Sequence, residues 1–283
     1  MFSPACYCFV RVPELPEVET VRRSLIPHLV GRRVASVWAR AIKLREGIVP
    51  SEWQRLVGME LLTIERTGKF LIARFERASA LFHLGMSGRM MLARPDNELA
   101  PHTHLRLGFD GDFELRFADA RRFGAAIVRS AATLARHRSL QALGVDPLTG
   151  DVEGALLAAA RSRSPIRSVL LDQRVLAGLG NIYANEALYR AGIRPLRQMR
   201  TVGRVRLPGL AAAIRKVLTQ ALEAGGTTLR DGGFVDAAGK NGAFAVQLAV
   251  YGRDGQPCEE CGATIVRQMA TGRSAYFCPR CQR

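Results

Sequence analysis

Apolar positions recur along the chain with three successive rhythms. From Pro16 to Leu29 they fall at Val18, Val21, Leu25 and Leu29, which share one face of a helix. Pro16 suits the first helical position, Glu17 and Glu19 sit in the first turn, and Gly31 follows the end. Pro27 lacks an N–H and is expected to kink or shorten the last turn.

From Val34 to about Val128 the period drops to two. Leu62, Ile64 and Arg66 alternate with Leu61, Thr63 and Glu65 before Thr67-Gly68-Lys69 turns the chain into FLIARF. Leu105, Leu107 and Phe109 lead into Asp110-Gly111, and Phe113, Leu115 and Phe117 lead out, which is a hairpin pattern. This stretch predicts a mostly antiparallel β region in two packed sheets. After about residue 131 the period returns to 3.6, through SLQALG, VEGALLAAARSR, IRSVLLDQRVLAG, NIYANEALYRAG and LPGLAAAIRKVLTQALEAGG. One helix is expected to run to about Ala177, with Gly178-Leu179-Gly180 leading to another near Asn181. From about Ala245 two short strands with glycine turns reach the C-terminus. The expected class is α+β, without internal repeats.

The 283 residues are enough for two domains with a buried core. No apolar run is long enough to span a bilayer, and the first eleven residues lack the basic start and small cleavage residue of a signal peptide. A cytoplasmic location is the expectation. Lys and Arg total 41 against 25 Asp and Glu, a net charge of +16. That field suits a polyanion, either nucleic acid or an anionic membrane surface, although a solvated basic face would carry the same charge.

Six cysteines divide unevenly, with Cys6 and Cys8 near the start and Cys258, Cys261, Cys278 and Cys281 near the end. The second group forms two C-x-x-C pairs, CEEC and CPRC, with sixteen residues between them. Four thiolates on two tight turns make the tetrahedral shell that structural Zn²⁺ prefers, with no vacancy for a catalytic water. The Gly178–Gly180 loop carries weaker chemistry. Asn181 can cap the following helix, whose free N–H groups suit a phosphate, and Arg163 and Arg167 lie upstream as further cations. A helix connection without a ligand is the other reading.

Taken in order, PELPEVET (13–20), TGKFL (67–71), HLGMSG (83–88), ARRFG (120–124), GLGNIYANE (178–186), GGTTLRD (225–231), VYGRDGQPC (250–258) and the cysteine pairs closely resemble the bacterial formamidopyrimidine-DNA glycosylases. The resemblance implies an N-terminal β-sandwich bearing the first helix, a helix–two-turn–helix domain and a C-terminal zinc ribbon, with damaged double-stranded DNA in the cleft. The corresponding boundaries are 13–130, 131–244 and 245–283. It implies a nucleoid-associated bifunctional glycosylase and lyase acting on oxidised purines, 8-oxoguanine and formamidopyrimidines, and one enzyme per lesion makes a monomer the default.

In such enzymes a proline at the chain start is the nucleophile, and Pro13 matches it. A free α-amine has a pKa of about 7.7–8.0, so much of it is neutral at working pH, and a secondary amine yields a charged iminium that draws electrons. By the same match Glu14 is an acid/base on the sugar and Lys69 a further acid/base near the lesion. Met86, Arg121 and Phe123 match a wedge that fills the space left by an extruded base. His102, Arg163, Asn181 and Arg273 match phosphate contacts, Arg273 also assisting the second elimination, and Thr227 to Phe244 resembles a loop that closes on the base.

Several positions depart from the pattern. Ala120 replaces a common proline, Arg167 a common lysine and Ala243 a common aromatic. Twelve residues precede Pro13 and would block its amine. Initiation at position 12, from a GTG codon read as valine, would make residues 1–12 a mis-assigned extension and expose Pro13 on removal of methionine. A processed precursor, a DNA-binding protein without catalysis and an endonuclease VIII-like enzyme acting on oxidised pyrimidines are the competing readings.

Overall fold

In the computed structural model, which describes residues 13–228 and 234–283, the first helix α1 (Leu15–Leu29) buries Val18, Val21, Leu25 and Leu29 as their spacing requires. Glu14 is its N-cap, and the Glu14 N–H donates to Glu17 Oε2 at 2.9 Å. That is half of a capping box, and it starts the helix one residue before the proline. Pro27 does not shorten the last turn, because Val30 N donates to Ile26 O at 3.2 Å beyond it. The proposed extension 1–12, with Cys6 and Cys8, and residues 229–233 of the Thr227–Phe244 segment lie outside the described residues.

The period-two region forms β1 (Val34–Ala39), β2 (Leu61–Thr67), β3 (Phe70–Phe75), β4 (Ser79–His83), β5 (Gly88–Ala93), β6 (Thr103–Phe109), β7 (Glu114–Asp119) and β8 (Ala125–Arg129), with the short helix α2 (Pro50–Gln54) after β1. They make two antiparallel four-stranded sheets, ordered β1-β6-β7-β5 and β2-β3-β4-β8. The Asp110-Gly111 hairpin forms, pairing Leu105 with Phe117 and Leu107 with Leu115. In β2 the alternation breaks: Leu61 and Ile64 are buried while Leu62 is 49% exposed. The register shifts between Leu61 and Thr63, and such a bulge flips the strand's faces. Trp53, Phe82 and Phe117 join α1 in the core between the sheets.

The rest of the helical region is α3 (Ala131–Ala135), α4 (Arg138–Gln141), α5 (Val152–Ala158), α6 (Ile166–Leu171), α7 (Asn181–Arg190) and α8 (Leu207–Glu223). Helix α6 stops at Leu171 rather than near Ala177. Asp172 Oδ1 accepts from Arg174 N at 3.0 Å, a local bond that competes with helix continuation. The Gln173 amide then donates to Leu171 O and Leu179 O, and its oxygen accepts from Gly178 N at 2.8 Å. One side chain thus folds the stretch between the helices. Among the described residues no helix is long and apolar enough to cross a membrane.

The last hairpin, β9 (Val266–Ala270) with β10 (Arg273–Phe277), shares the core of the helical domain through Ile265, Tyr276, Cys258 and Cys278. Glu186 on α7 fastens the approach to it. Its buried carboxylate accepts from the N–H groups of Ala249, Val250 and Tyr251 at 2.9, 3.0 and 2.8 Å. Replacing it by alanine leaves three donors without partners, at about 1–3 kcal/mol for each buried one. Glu186→Ala is therefore expected to expose the amides of residues 249–251 to hydrogen exchange while those of α8 stay protected.

Candidate active site

Glu14 lies where the sandwich meets the helical domain. Leu15 N donates to Gly178 O at 3.0 Å, and Glu14 Oε1 accepts from Ile182 N at 2.9 Å in the first turn of α7. The close approach needs both glycines. A Cβ on Gly178 would meet Leu15 Cβ at 2.9 Å, and one on Gly180 would lie 2.1 Å from Glu14 Cδ. The glycine loop therefore receives the N-terminal segment, and a carboxylate occupies one of the N–H groups expected to face a phosphate. Gly180, not Asn181, is the N-cap, and it makes no side-chain cap bond.

Burial raises the Glu14 carboxyl to about 7, Lys69 opposes that rise, and the Glu17 carboxylate adds to it. Glu14 Oε2 is buried without a hydrogen-bond partner. Glu17, absent from the expected site, is better satisfied. It accepts from Glu14 N, from Tyr183 Oη and, at 2.9 Å, from Thr227 N, and Tyr183 Oη lies 2.7 Å from Thr227 Oγ1. The E-x-x-E spacing of a capping box was the available sign for Glu17; nothing local marks Tyr183.

Pro13, buried, precedes Glu14 in the chain. Lys69 lies in the β2–β3 turn, and burial lowers its pKa, opposed by Glu14 and Glu17 and assisted by Arg273. Lys69, Met86, Phe123 and Arg273 line one cavity of about 390 Å³, together with Arg45, His83, Ser139 and Gln173. His83 is a second residue that the sequence does not mark. Its Nδ1 accepts from Gly85 N at 3.0 Å, and burial beside Arg45 and Lys69 lowers its pKa to about 4, so the ring is neutral. Glu14 and Lys69 are electrostatically coupled, each favouring the other's charged form against the cost of burial.

Met86 is half-buried, whereas Phe123 is 49% exposed with the Arg121 guanidinium 5.2 Å from its ring centre. His102 and Arg163 are exposed, as is Arg273 at the start of β10. His104, by contrast, is buried, with Nε2 2.9 Å from Asp119 O.

Arg167 is placed otherwise than expected, with none of its surface exposed. It donates to Asn181 Oδ1 at 2.7 Å and Ala270 O at 2.6 Å, and to Ser274 O and Arg273 O at 3.3 Å. Carbonyl oxygens at the end of the ribbon hairpin enclose the guanidinium and hold it inside. Asn181 Nδ2 also donates to Ser274 O, at 3.0 Å. Arg167 and Asn181 thus brace the turn that carries Arg273.

The ribbon's four thiols converge, with Cys258 and Cys281 sulfurs 3.9 Å apart, Cys261 and Cys278 3.4 Å apart, and all four within 4.8 Å. Tetrahedral Zn–S bonds of about 2.3 Å require sulfurs about 3.8 Å apart. Gly262, at φ +74°, closes the first turn, and Tyr189 Oη lies 3.2 Å from the Cys258 sulfur. The four cysteines form the site of one structural zinc ion.

Three family models match the chain. They are the formamidopyrimidine-DNA glycosylase N-terminal domain over residues 12–126, its H2TH domain over 143–232, and the zinc finger found in FPG and IleRS over 255–283. A formamidopyrimidine-DNA glycosylase of Methylococcus capsulatus is 43% identical over 274 residues, covering 96% of this chain and all of the relative. A Lactococcus lactis FPG mutant bound to DNA containing Fapy-dG superposes with TM-score 0.87 at 33% identity, over 96% of this chain and all of that one. The MutM (FPG) protein of Thermus thermophilus gives 0.85 at 38% identity, over 95% and 98%.

Two outcomes follow from the Glu14 geometry. A carboxyl raised in the folded state stabilises below its ordinary value of 4.5, and that contribution is lost as pH rises through about 7. Denaturant titrations from pH 4 to pH 8 should show the native chain losing stability relative to Glu14→Gln across that window. Gly180→Ala, forcing the carboxylate aside, is expected to cost about 1–3 kcal/mol. Gly209→Ala, in α8 with nothing within 4 Å of the added carbon, should stabilise by roughly 0.5–1 kcal/mol.

Proposed function

The chain belongs to the formamidopyrimidine-DNA glycosylase family and is a DNA glycosylase of base excision repair, and from that premise we propose that it is bifunctional, excising oxidised purines and then cutting the strand through Pro13. The observation that carries this reading is the Glu14 carboxyl. It is buried, raised to about 7, held on one oxygen by Ile182 N–H and free on the other, directly after Pro13 and electrostatically linked to Lys69.

The chemistry uses these groups in sequence. The neutral Pro13 amine forms a bond to C1′ while the bond to the damaged base breaks, and the proton the nitrogen then gives up leaves with the base. Glu14, protonated for part of the time at neutral pH, gives its proton to the ring oxygen as the sugar opens, leaving an iminium between Pro13 and C1′. The positive nitrogen draws electrons, so the C2′ proton can be taken by a base and the 3′ phosphate expelled. Lys69, with its lowered pKa, suits that proton transfer. Arg273 assists departure of the 5′ phosphate in the second elimination, and water releases Pro13. Met86, Arg121 and Phe123 fill the space left by the extruded nucleotide, while His102, Arg163 and Asn181 hold phosphates. Arg167 serves by bracing Asn181 and the Arg273 turn from within.

An amide nitrogen cannot form the iminium, so the active form begins at Pro13. Oxidised purines are favoured by the LPEVET start, by Lys69 within TGKFL and by the Met86, Arg121 and Phe123 set.

Borohydride reduction tests the mechanism. Protein beginning at Pro13 should be trapped covalently on duplex DNA carrying 8-oxoguanine. Protein retaining residues 1–12 should bind that duplex without trapping or cutting it; equal trapping of both forms would sink the Pro13 mechanism. A parallel panel of 8-oxoguanine, formamidopyrimidine and oxidised-pyrimidine duplexes should show the purines cleaved faster, and the reverse order would place the chain with the pyrimidine enzymes.

A further inference from the structure

Two loops cross between the sheets side by side at one end of the sandwich. The first, residues 84–87, leads from β4 to β5 and carries Met86. The second, residues 120–124, leads from β7 to β8 and carries Arg121 and Phe123. Neither has regular structure to stiffen it, yet a wedge must keep its shape when driven between stacked bases.

Asp119, 1% exposed at the end of β7, lies where the loops meet. Its Oδ2 accepts from Gly124 N at 2.8 Å, beyond Phe123. Its Oδ1 accepts from Ser87 Oγ, next to Met86. Ser87 Oγ in turn accepts from Arg121 N at 2.9 Å. One buried carboxylate and one hydroxyl therefore join both loops, and Asp119 is itself paired with Gly88 in the sheet. The backbones also touch. Gly85, at φ +59°, has room for no side chain, because a Cβ there would lie 2.5 Å from Phe123 C. Arg122, at φ +61°, is held in a conformation rare for a residue with a side chain.

We infer that Asp119 and Ser87 are positioning residues that lock the Met86 loop and the Arg121–Phe123 loop into a single rigid wedge. The inference rests on the proposed role of those three side chains in filling the extrusion site. Asp119 and Ser87 act on DNA only through the loops they join. Their contribution belongs to the step that opens the stack, not to bond breaking at C1′.

That division supplies the test. Protein beginning at Pro13 is assayed on 8-oxoguanine in a matched duplex and on the same lesion in an unpaired bulge, where the base is already out of the stack. Ser87→Ala removes the link and leaves Asp119 bound to Gly124. It is expected to lower kcat/KM on the duplex about tenfold, as for loss of one hydrogen bond to a charged group, and on the bulge less than about twofold. Ser87→Thr keeps the hydroxyl and should restore the duplex rate, whereas Asp119→Ala, if it folds, should exceed the Ser87→Ala loss. A 2-aminopurine beside the lesion should brighten more slowly with Ser87→Ala. If Ser87→Ala matches the native chain on the duplex, or loses equally on both substrates, the inference is overturned while the proposed function stands. A native protein that cuts neither substrate overturns the proposed function, and the inference with it.

Discussion

The structure depends on one contact between distant parts of the chain, the Glu14 carboxylate on the Ile182 N–H at 2.9 Å. A carboxyl removed from water is costly unless it is protonated or hydrogen-bonded. Glu14 meets both conditions in part: one oxygen is bonded, and the group is raised to about 7. The bare Cα of Gly180 is what lets it sit there. Glu17 beside it meets the same cost differently, through three donors drawn from α1, α7 and the segment at Thr227. Two neighbouring acids on one helix turn thus reach different ends, one left with an unpartnered buried oxygen and the other engaged in holding the walls together.

The same constraint governs the basic groups. Lys69 and Arg273 share a cavity with no carboxylate in its lining, and Arg273 adds to the burial that disfavours the charge on Lys69. Arg167 has carbonyl and amide oxygens around it and no acid, so it keeps its charge while organising the hairpin turn. A site lined in this way suits an anionic guest, and a phosphate backbone supplies the charge the protein withholds.

What can be read from the sequence is local. Helix α1, the Asp110-Gly111 hairpin and the paired cysteines each declare themselves within a few residues, because periodicity, turn chemistry and ligand spacing act over short distances. Leu62 cannot be placed that way, since the bulge that turns it outward belongs to the pairing with β3. The end of α6 escapes a sequence reading because Asp172 and Gln173 side chains, not a glycine or proline, end it. Arg167 reads as a surface cation because its acceptors at Ala270, Arg273 and Ser274 lie more than a hundred residues away. The resemblance to a family names Glu14 and Lys69 as acid/base residues. The reason Glu14 has an unusual proton affinity is its burial against the distant Gly180, only partly offset by the Ile182 and Tyr183 N–H groups, and no reading of the first helix would reach it.

Three matched segments invite the view of a modular protein, but position 180 contradicts it. A carboxylate on one module stands on the missing side chain of the next. Such a joint makes the segments poor candidates for exchange between genes. A chimera taking its first 130 residues from a relative inherits an acid, yet must find in its other half an amide at the right height and nothing attached to the carbon beneath it. The unit that recombination can pass on intact is therefore larger than any one domain.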